Sequence, residues 1–167
     1  SRALRRNSTV QVEQFPQDVA ELIGYFKKDN QNSPVHAIPG EGLDVPVWIL
    51  GSSLFGAQLA AHLGLPYAFA SHFAPGQLMD AIRIYREQFK PSATLAEPYV
   101  MLGISVFAAD SHAEAELLAS SWQQTFVNLY KGTPGQLPPP TANYMSSLSP
   151  MEQAMLNDVL ACSIVGT

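Results

Sequence analysis

The sequence predicts an α/β domain built on a parallel sheet, and three observations carry that prediction. Segments with helical spacing alternate along the chain with short apolar runs. Those runs, "VPVWILGSS", "LPYAFASHF" and "PYVMLGISVFAAD", are nearly continuous in hydrophobicity, as strands buried on both faces are. Each leads through a short turn into a helical segment, the arrangement of right-handed crossover units. Three strands are too few for a closed architecture, so the sheet is expected to be open or completed by further chain.

The elements follow in order. Residues 1 to 14 are polar and without a clear period. "FPQDVAELIGYFKKDN" reads as a helix: Pro16 suits a first turn, Asp18 and Glu21 load its positive end, and Lys27 and Lys28 its negative end. Val19, Leu22, Ile23 and Phe26 form its apolar stripe. "QNSPVHAIPGEGLD" is a turn-rich connection. After the first strand, "LFGAQLAAHLG" is a small-residue helix closed by Gly64. After the second, "APGQLMDAIRIYREQFKPS" is a helix with Leu78, Ile82 and Tyr85 on one face, stopped by Pro91. After the third, "SHAEAELLASSWQQTFVNLYKG" is a long helix with the capping-box pair Ser111 and Glu114. Residues 133 to 150, "TPGQLPPPTANYMSSLSP", form a proline-rich loop too long to be a plain connector, which makes it a candidate covering loop. "MEQAMLNDVLACSIVGT" is a last short helix running into an unfinished segment.

Composition narrows the function classes. A chain of 167 residues with 47% hydrophobic and 14% charged residues is one folded domain's worth of protein. Its formal charge of −5 argues against nucleic acid or an anionic membrane as partner. The one basic cluster, Arg2, Arg5 and Arg6, reads as a solvated chain end or as an anion contact. Cys162 is the single cysteine, which fits a reducing, cytoplasmic setting. No apolar run of about 18 residues is present to span a bilayer. The start at Ser1 and the stop on "SIVGT" read as cut ends, so the chain is expected to be a piece of something longer.

Candidate chemistry gathers where strands end and helices begin. At "GSSLFG" the turn offers backbone N–H groups, two hydroxyls and a helix N-terminus to an anion. The spacing fits neither a Walker loop, nor Gly-x-Gly-x-x-Gly, nor a nucleophile elbow. Two readings stay open: a phosphate cradle, or an ordinary turn whose serine caps the helix. His72, at the end of the second strand, is either structural or faces a ligand. His36, His62 and His112 lie in a loop, a helix and a helix start. No histidines or carboxylates share metal-ligand spacing, so no metal site is expected. Trp48 and Trp122 read as core, whereas Phe69 and Phe73 suit either core or a stacking surface.

The order of several segments carries a resemblance. "ALRR", "FPQDVAEL", "VPVWILGSS", "AQLAAHLGLPYAFASHFAP", "YREQFKPSA", "AADSHAEAE", "GQLPPP" and "SIVGT" together resemble the luciferase-like flavin-dependent monooxygenases of bacteria over essentially the whole chain. The resemblance implies a partial (β/α)8 TIM barrel, with the three strands as the family's fifth, sixth and seventh and residues 1–14 as a linker after a missing fourth. It also implies reduced FMN as cofactor, O2 and a small organic molecule as co-substrates, and a separate flavin reductase. The turn after the fifth strand assigns Gly51, Ser52, Ser53 and, with less weight, Gly56 to the flavin phosphate. The end of the sixth assigns Ala70 and Ser71 to the cofactor and His72 to the chemistry.

The departure from the family is the missing half. The first four strands, including a Gly-Arg stretch that supplies a phosphate-binding arginine, are expected upstream, and the eighth strand and last helix are expected to be absent. The parent reads as a monooxygenase and the chain alone as inactive. The alternative is a non-catalytic flavin- or phosphate-binding module of the same fold. Uncovered strand edges make a homo-oligomer the expected state. A generic doubly wound nucleotide-binding domain is the third reading; it requires helices on both faces of the sheet, where the barrel requires one.

Overall fold

The computed structural model describes residues 14–28 and 35–167. The Arg2, Arg5 and Arg6 cluster and nearly all of the 1–14 linker therefore lie outside the described residues. The chain divides into two compact units, Ser1–Trp48 and Ile49–Thr167.

In the first unit, helix α1 spans Phe15–Phe26, with Pro16 and Asp18 in its first turn. Val19 is its buried residue, while Leu22 is 44% exposed. Lys27 is already extended (φ −72°, ψ 145°). Both lysines thus lie past the helix, which corrects the sequence reading that set them at its negative end. The 35–48 segment folds back on α1: the Gly42 N–H donates to the Phe26 carbonyl at 2.8 Å. A side chain on Gly40 would press on the Phe26 ring.

The second unit holds the parallel strands. β1 (Ile49–Gly51), β2 (Tyr67–Phe69) and β3 (Val100–Leu102) form one sheet, and β4 (Ser105–Ala108) pairs with β5 (Ser163–Gly166) in another. All pairings are parallel, with Ile49 opposite Tyr67 and Tyr67 opposite Val100. Two corrections to the sequence reading follow. The third apolar run is broken at Gly103–Ile104 into β3 and β4. The "unfinished" end is a fourth strand position, with Ser163 opposite Ser105 and Gly166 opposite Ala108. Residues Ser163–Gly166 are β-branched or small, and β4 offers them an unpaired edge, which explains the pairing.

Helices α2 (Leu54–Leu63) and α3 (Leu78–Gln88) lie on one face of the β1–β2–β3 sheet. A side chain on Gly56 of α2 would meet the Tyr67 ring and Ile49, and the Tyr85 ring of α3 stacks 5.4 Å from Tyr67. Helices on one side fit a barrel wall and disfavour the doubly wound reading. α2 ends where Gly64 turns left-handed (φ 63°). There the Lys90 carbonyl leaves no room for a side chain; an added Cβ would lie 2.5 Å from that oxygen. Of the face expected for α3, Tyr85 is fully buried, whereas Leu78 and Ile82 are half-buried, and Ala81 supplies the other buried position.

α4 (His112–Tyr130) packs against β4 and β5 and starts as expected: Ser111 Oγ accepts from the Glu114 N–H. The complete reciprocal box is instead at α5 (Pro150–Val159), between Ser149 and Glu152. The proline-rich loop is tied along α4. Gln124 Nε2 donates to the Pro139 carbonyl at 2.9 Å, and the Thr141 N–H donates to Ser120 Oγ at 2.7 Å. Phe126, Val127 and Leu156 form the buried cluster beneath it, flanked by Trp122, Tyr144 and Leu148. Trp122 is part of this cluster, as expected of a core residue.

Candidate functional site

The candidate residues converge because three strand ends are bonded edge to edge. The Ala70 N–H donates to the Gly51 carbonyl at 2.9 Å, joining the end of β2 to the end of β1. The Gly103 N–H donates to the Phe69 carbonyl at 2.9 Å, joining β3 to β2. Ser71, fully buried, closes the row: its Oγ donates to the Gly103 carbonyl at 2.6 Å. Gly51, Ala70, Ser71 and His72 therefore share the carboxyl edge of one sheet, and Ser52 and Ser53 continue from it into α2.

At the β1–α2 turn, Ser53 is the N-cap of α2 in an extended conformation (φ −135°, ψ 167°), yet its side chain makes no capping bond. Among the described residues neither the Ser52 nor the Ser53 hydroxyl has a hydrogen-bond partner. A helix start left without its side-chain cap keeps its first N–H groups and positive end available to an anion. Of the two readings of this turn, the capping-serine one finds no capping bond. Gly56 sits one turn in, buried, with its Cα facing Gly51; a Cβ on it would lie 3.7 Å from the Gly51 Cα. Its observed contact is this close helix–strand approach.

Tyr67, unmarked by sequence reasoning, supports the turn from below. Its hydroxyl donates to the Ser53 carbonyl at 3.3 Å. Burial pushes the phenol up to about 12, so it stays a donor at any physiological pH. The signal for such a residue is a tyrosine in a buried apolar strand, whose hydroxyl requires a partner.

At the end of β2, the backbone turns through Ser71 to Ala74, with the Phe73 and Ala74 N–H groups both donating to the Ala70 carbonyl. His72 is half-buried on this turn, and among the described residues its ring nitrogens have no hydrogen-bond partner. Its ring lies against the backbone of Gly103, a second residue the sequence reading passed over. Gly103 interrupts an apolar strand run, a pattern that marks a bulge or a close approach. Phe73 is 52% exposed and its ring lies 6.4 Å from Phe126, while Phe69 is core.

The remaining histidines lie elsewhere. His36 Nδ1 pairs with Glu41 at 2.8 Å, His62 Nδ1 lies 3.1 Å from Lys90 Nζ, and His112 lies 3.3 Å from Glu116. Among the described residues no group of three His, Cys, Asp or Glu side chains is placed to hold a metal ion. Among them, too, no helix is long and apolar enough to cross a membrane.

Parallel strands with helices on one outer face, and polar residues collected at the carboxyl edge, fit a segment of a (β/α) barrel. The sequence profile of the luciferase-like monooxygenase family matches residues 17–160, and the chain belongs to that family. It is 52% identical over 164 residues to a luciferase-like monooxygenase of Escherichia coli K12, matching 98% of this chain and 49% of that protein. It is 50% identical over 167 residues to the uncharacterized protein YvbT of Bacillus subtilis 168, covering 49% of it. The chain thus spans about half the length of the curated relatives it matches. The crystal structure of apo-MsnO8 superposes with a TM-score of 0.69 over 94% of this chain and 56% of the other, at 21% identity, a likeness of fold.

Proposed function

We propose that this chain supplies about half of a flavin-dependent monooxygenase barrel, and that its β1–α2 turn holds the phosphate of reduced FMN. The observation that carries the reading is the uncapped start of α2 beside two unpartnered serine hydroxyls. A dianionic phosphate matches that donor set: hydroxyls of Ser52 and Ser53, backbone N–H groups of the first helical turn, and the positive end of the helix. Tyr67 fixes the turn by holding the Ser53 carbonyl, so the hydroxyls are presented from a rigid base. Ala70, Ser71 and His72 extend the same edge toward the ring of such a cofactor and toward the substrate. Bound reduced flavin supplies the electrons for activating O2 and oxidising a small organic substrate. The chain's own residues bind, orient and, at His72, present an imidazole able to hold or move a proton. A separate reductase is the proposed source of reduced flavin. The proline-rich loop 133–150 is a proposed cover for the neighbouring half of the site.

The test separates phosphate from ring. FMN and riboflavin differ by the phosphate alone, so the full chain is titrated with each, and with a deazaflavin cofactor, following flavin fluorescence. FMN is expected to bind at least about tenfold more tightly than riboflavin, a difference that Ser53→Asp removes by like-charge repulsion. Equal affinity for FMN and riboflavin in the unsubstituted chain would sink the phosphate assignment. In the intact parent protein, with the reductase and air, substrate oxygenation marks a monooxygenase, whereas tight binding without turnover marks a binding module.

A further inference from the structure

We propose that Gly103 is a positioning residue: its missing side chain gives the His72 imidazole its seat over the end of β3. This rests on reading the strand ends as a ligand site and extends that site to a residue on a different strand. A Cβ added at Gly103 would lie 2.3 Å from His72 Nδ1, 2.9 Å from Cε1 and 3.5 Å from Cγ. Carbon and ring atoms settle at about 3.5 Å, so even a methyl group drives the imidazole outward by about 1 Å.

The strand cannot retreat to make room. Both polar groups of Gly103 are tied to the end of β2: the N–H to the Phe69 carbonyl at 2.9 Å, the carbonyl to Ser71 Oγ at 2.6 Å. Ser71 immediately precedes His72 and is fully buried, so the same hydroxyl that anchors Gly103 also sets the chain direction entering His72. The ring is held by this steric seat, with no hydrogen-bond partner among the described residues, which leaves its nitrogens for a ligand. The break between β3 and β4 falls at this point, so the interruption of the strand and the seating of the imidazole are one feature.

A double-substitution cycle tests the seat in the full chain. Gly103→Ala is expected to lower the Tm by about 5 °C through overpacking. In the His72→Ala background the same change should cost less than half as much. Equal losses in both backgrounds would overturn the proposal. If Gly103→Ala alone does not fold, the double variant should still fold with a Tm close to that of His72→Ala; failure of the double variant also overturns it. An NMR contact between Gly103 Hα and His72 Hε1, with ring ¹⁵N resonances that move in Gly103→Ala, is the positional readout, and its absence counts against the seat. FMN affinity is read in parallel and is expected to fall about tenfold in Gly103→Ala. Coupling with unchanged FMN affinity in both single variants leaves the seat standing and removes the flavin reading instead.

Discussion

The two faces of the β1–β2–β3 sheet differ sharply in how far their strand side chains are buried. On the helix-covered face Ile49, Tyr67 and Phe69 are at most 4% exposed, locked by aromatic contacts among Tyr67, Phe69, Tyr85 and Phe89. On the opposite face Leu50 is 70% exposed and Met101 53%, although both lie within paired strands. The pattern continues in the second sheet, where Val106 and Ile164 face each other in register and are 58% and 56% exposed. Apolar side chains on both faces are what a barrel wall needs, since its interior is filled by layers of side chains from all strands. Half of a barrel therefore encodes two cores and completes one.

The largest effect expected from this contrast comes from substitutions on opposite faces. Tyr67→Ala should cost about 4 kcal/mol in urea unfolding, because it empties a buried site and frees the Ser53 carbonyl. Leu50→Ser should change stability by less than about 0.5 kcal/mol in the same assay. A Leu50→Ser cost approaching that of Tyr67→Ala would break the comparison by showing that the opposite face is covered in solution. The homo-oligomer proposed from the open strand edges is one such cover.

A smaller effect isolates polar satisfaction on the covered face. Tyr85 Oη donates to the Leu65 carbonyl at 2.9 Å and accepts from the Tyr99 N–H at 3.1 Å, tying α3 to the residues that lead into β2 and β3. Tyr85→Phe keeps the ring but leaves both backbone groups without this partner, which should cost about 2 kcal/mol. Amide exchange at Tyr99 should quicken in step. Unchanged exchange there would show that the hydroxyl contributes packing only.

The smallest effect lies outside the sheet, at the α4–α5 junction. Lys131 Nζ pairs with Glu152 at 2.7 Å, and Ser149 donates to the same carboxylate through its N–H and its Oγ. Lys131 first, then Ser149, hold the Glu152 carboxyl at about 2, below its ordinary 4.5. A carboxyl depressed in the folded state stabilises above its unfolded value and loses that contribution as pH falls from about 4.5 toward 2. Lys131→Met should therefore lower the Tm slightly at pH 7 and hardly at all near pH 2, with the difference closing across that window. A pH-independent difference would assign the effect to packing.

The helices were legible because their signals are local. Pro16 in the first turn of α1, Gly64 closing α2 and Ser111 opening α4 all lie where spacing places them. Strand existence was legible too, from continuous apolar runs, and the family resemblance placed Gly51 to Ser53 and Ala70 to His72 at strand ends. The end of the chain was misread because four residues of "SIVG" carry too little pattern to mark a strand; only the unpaired edge of β4 makes them one. Gly103 did carry a local signal, a glycine interrupting an apolar run, but that signal does not say which side chain approaches it.

By itself, then, the sequence determined the alternation of helices and parallel strands, several helix caps and the family, because each depends on residues near one another in the chain. Only the tertiary structure decided which face each strand buries, and it brought Gly51, Ala70 and Gly103 to one edge. It also set Tyr67 beneath the serine turn and His72 against Gly103. Those relations join residues 14 to 52 positions apart, and they arise from strand register and from the filling of space, which no local pattern encodes.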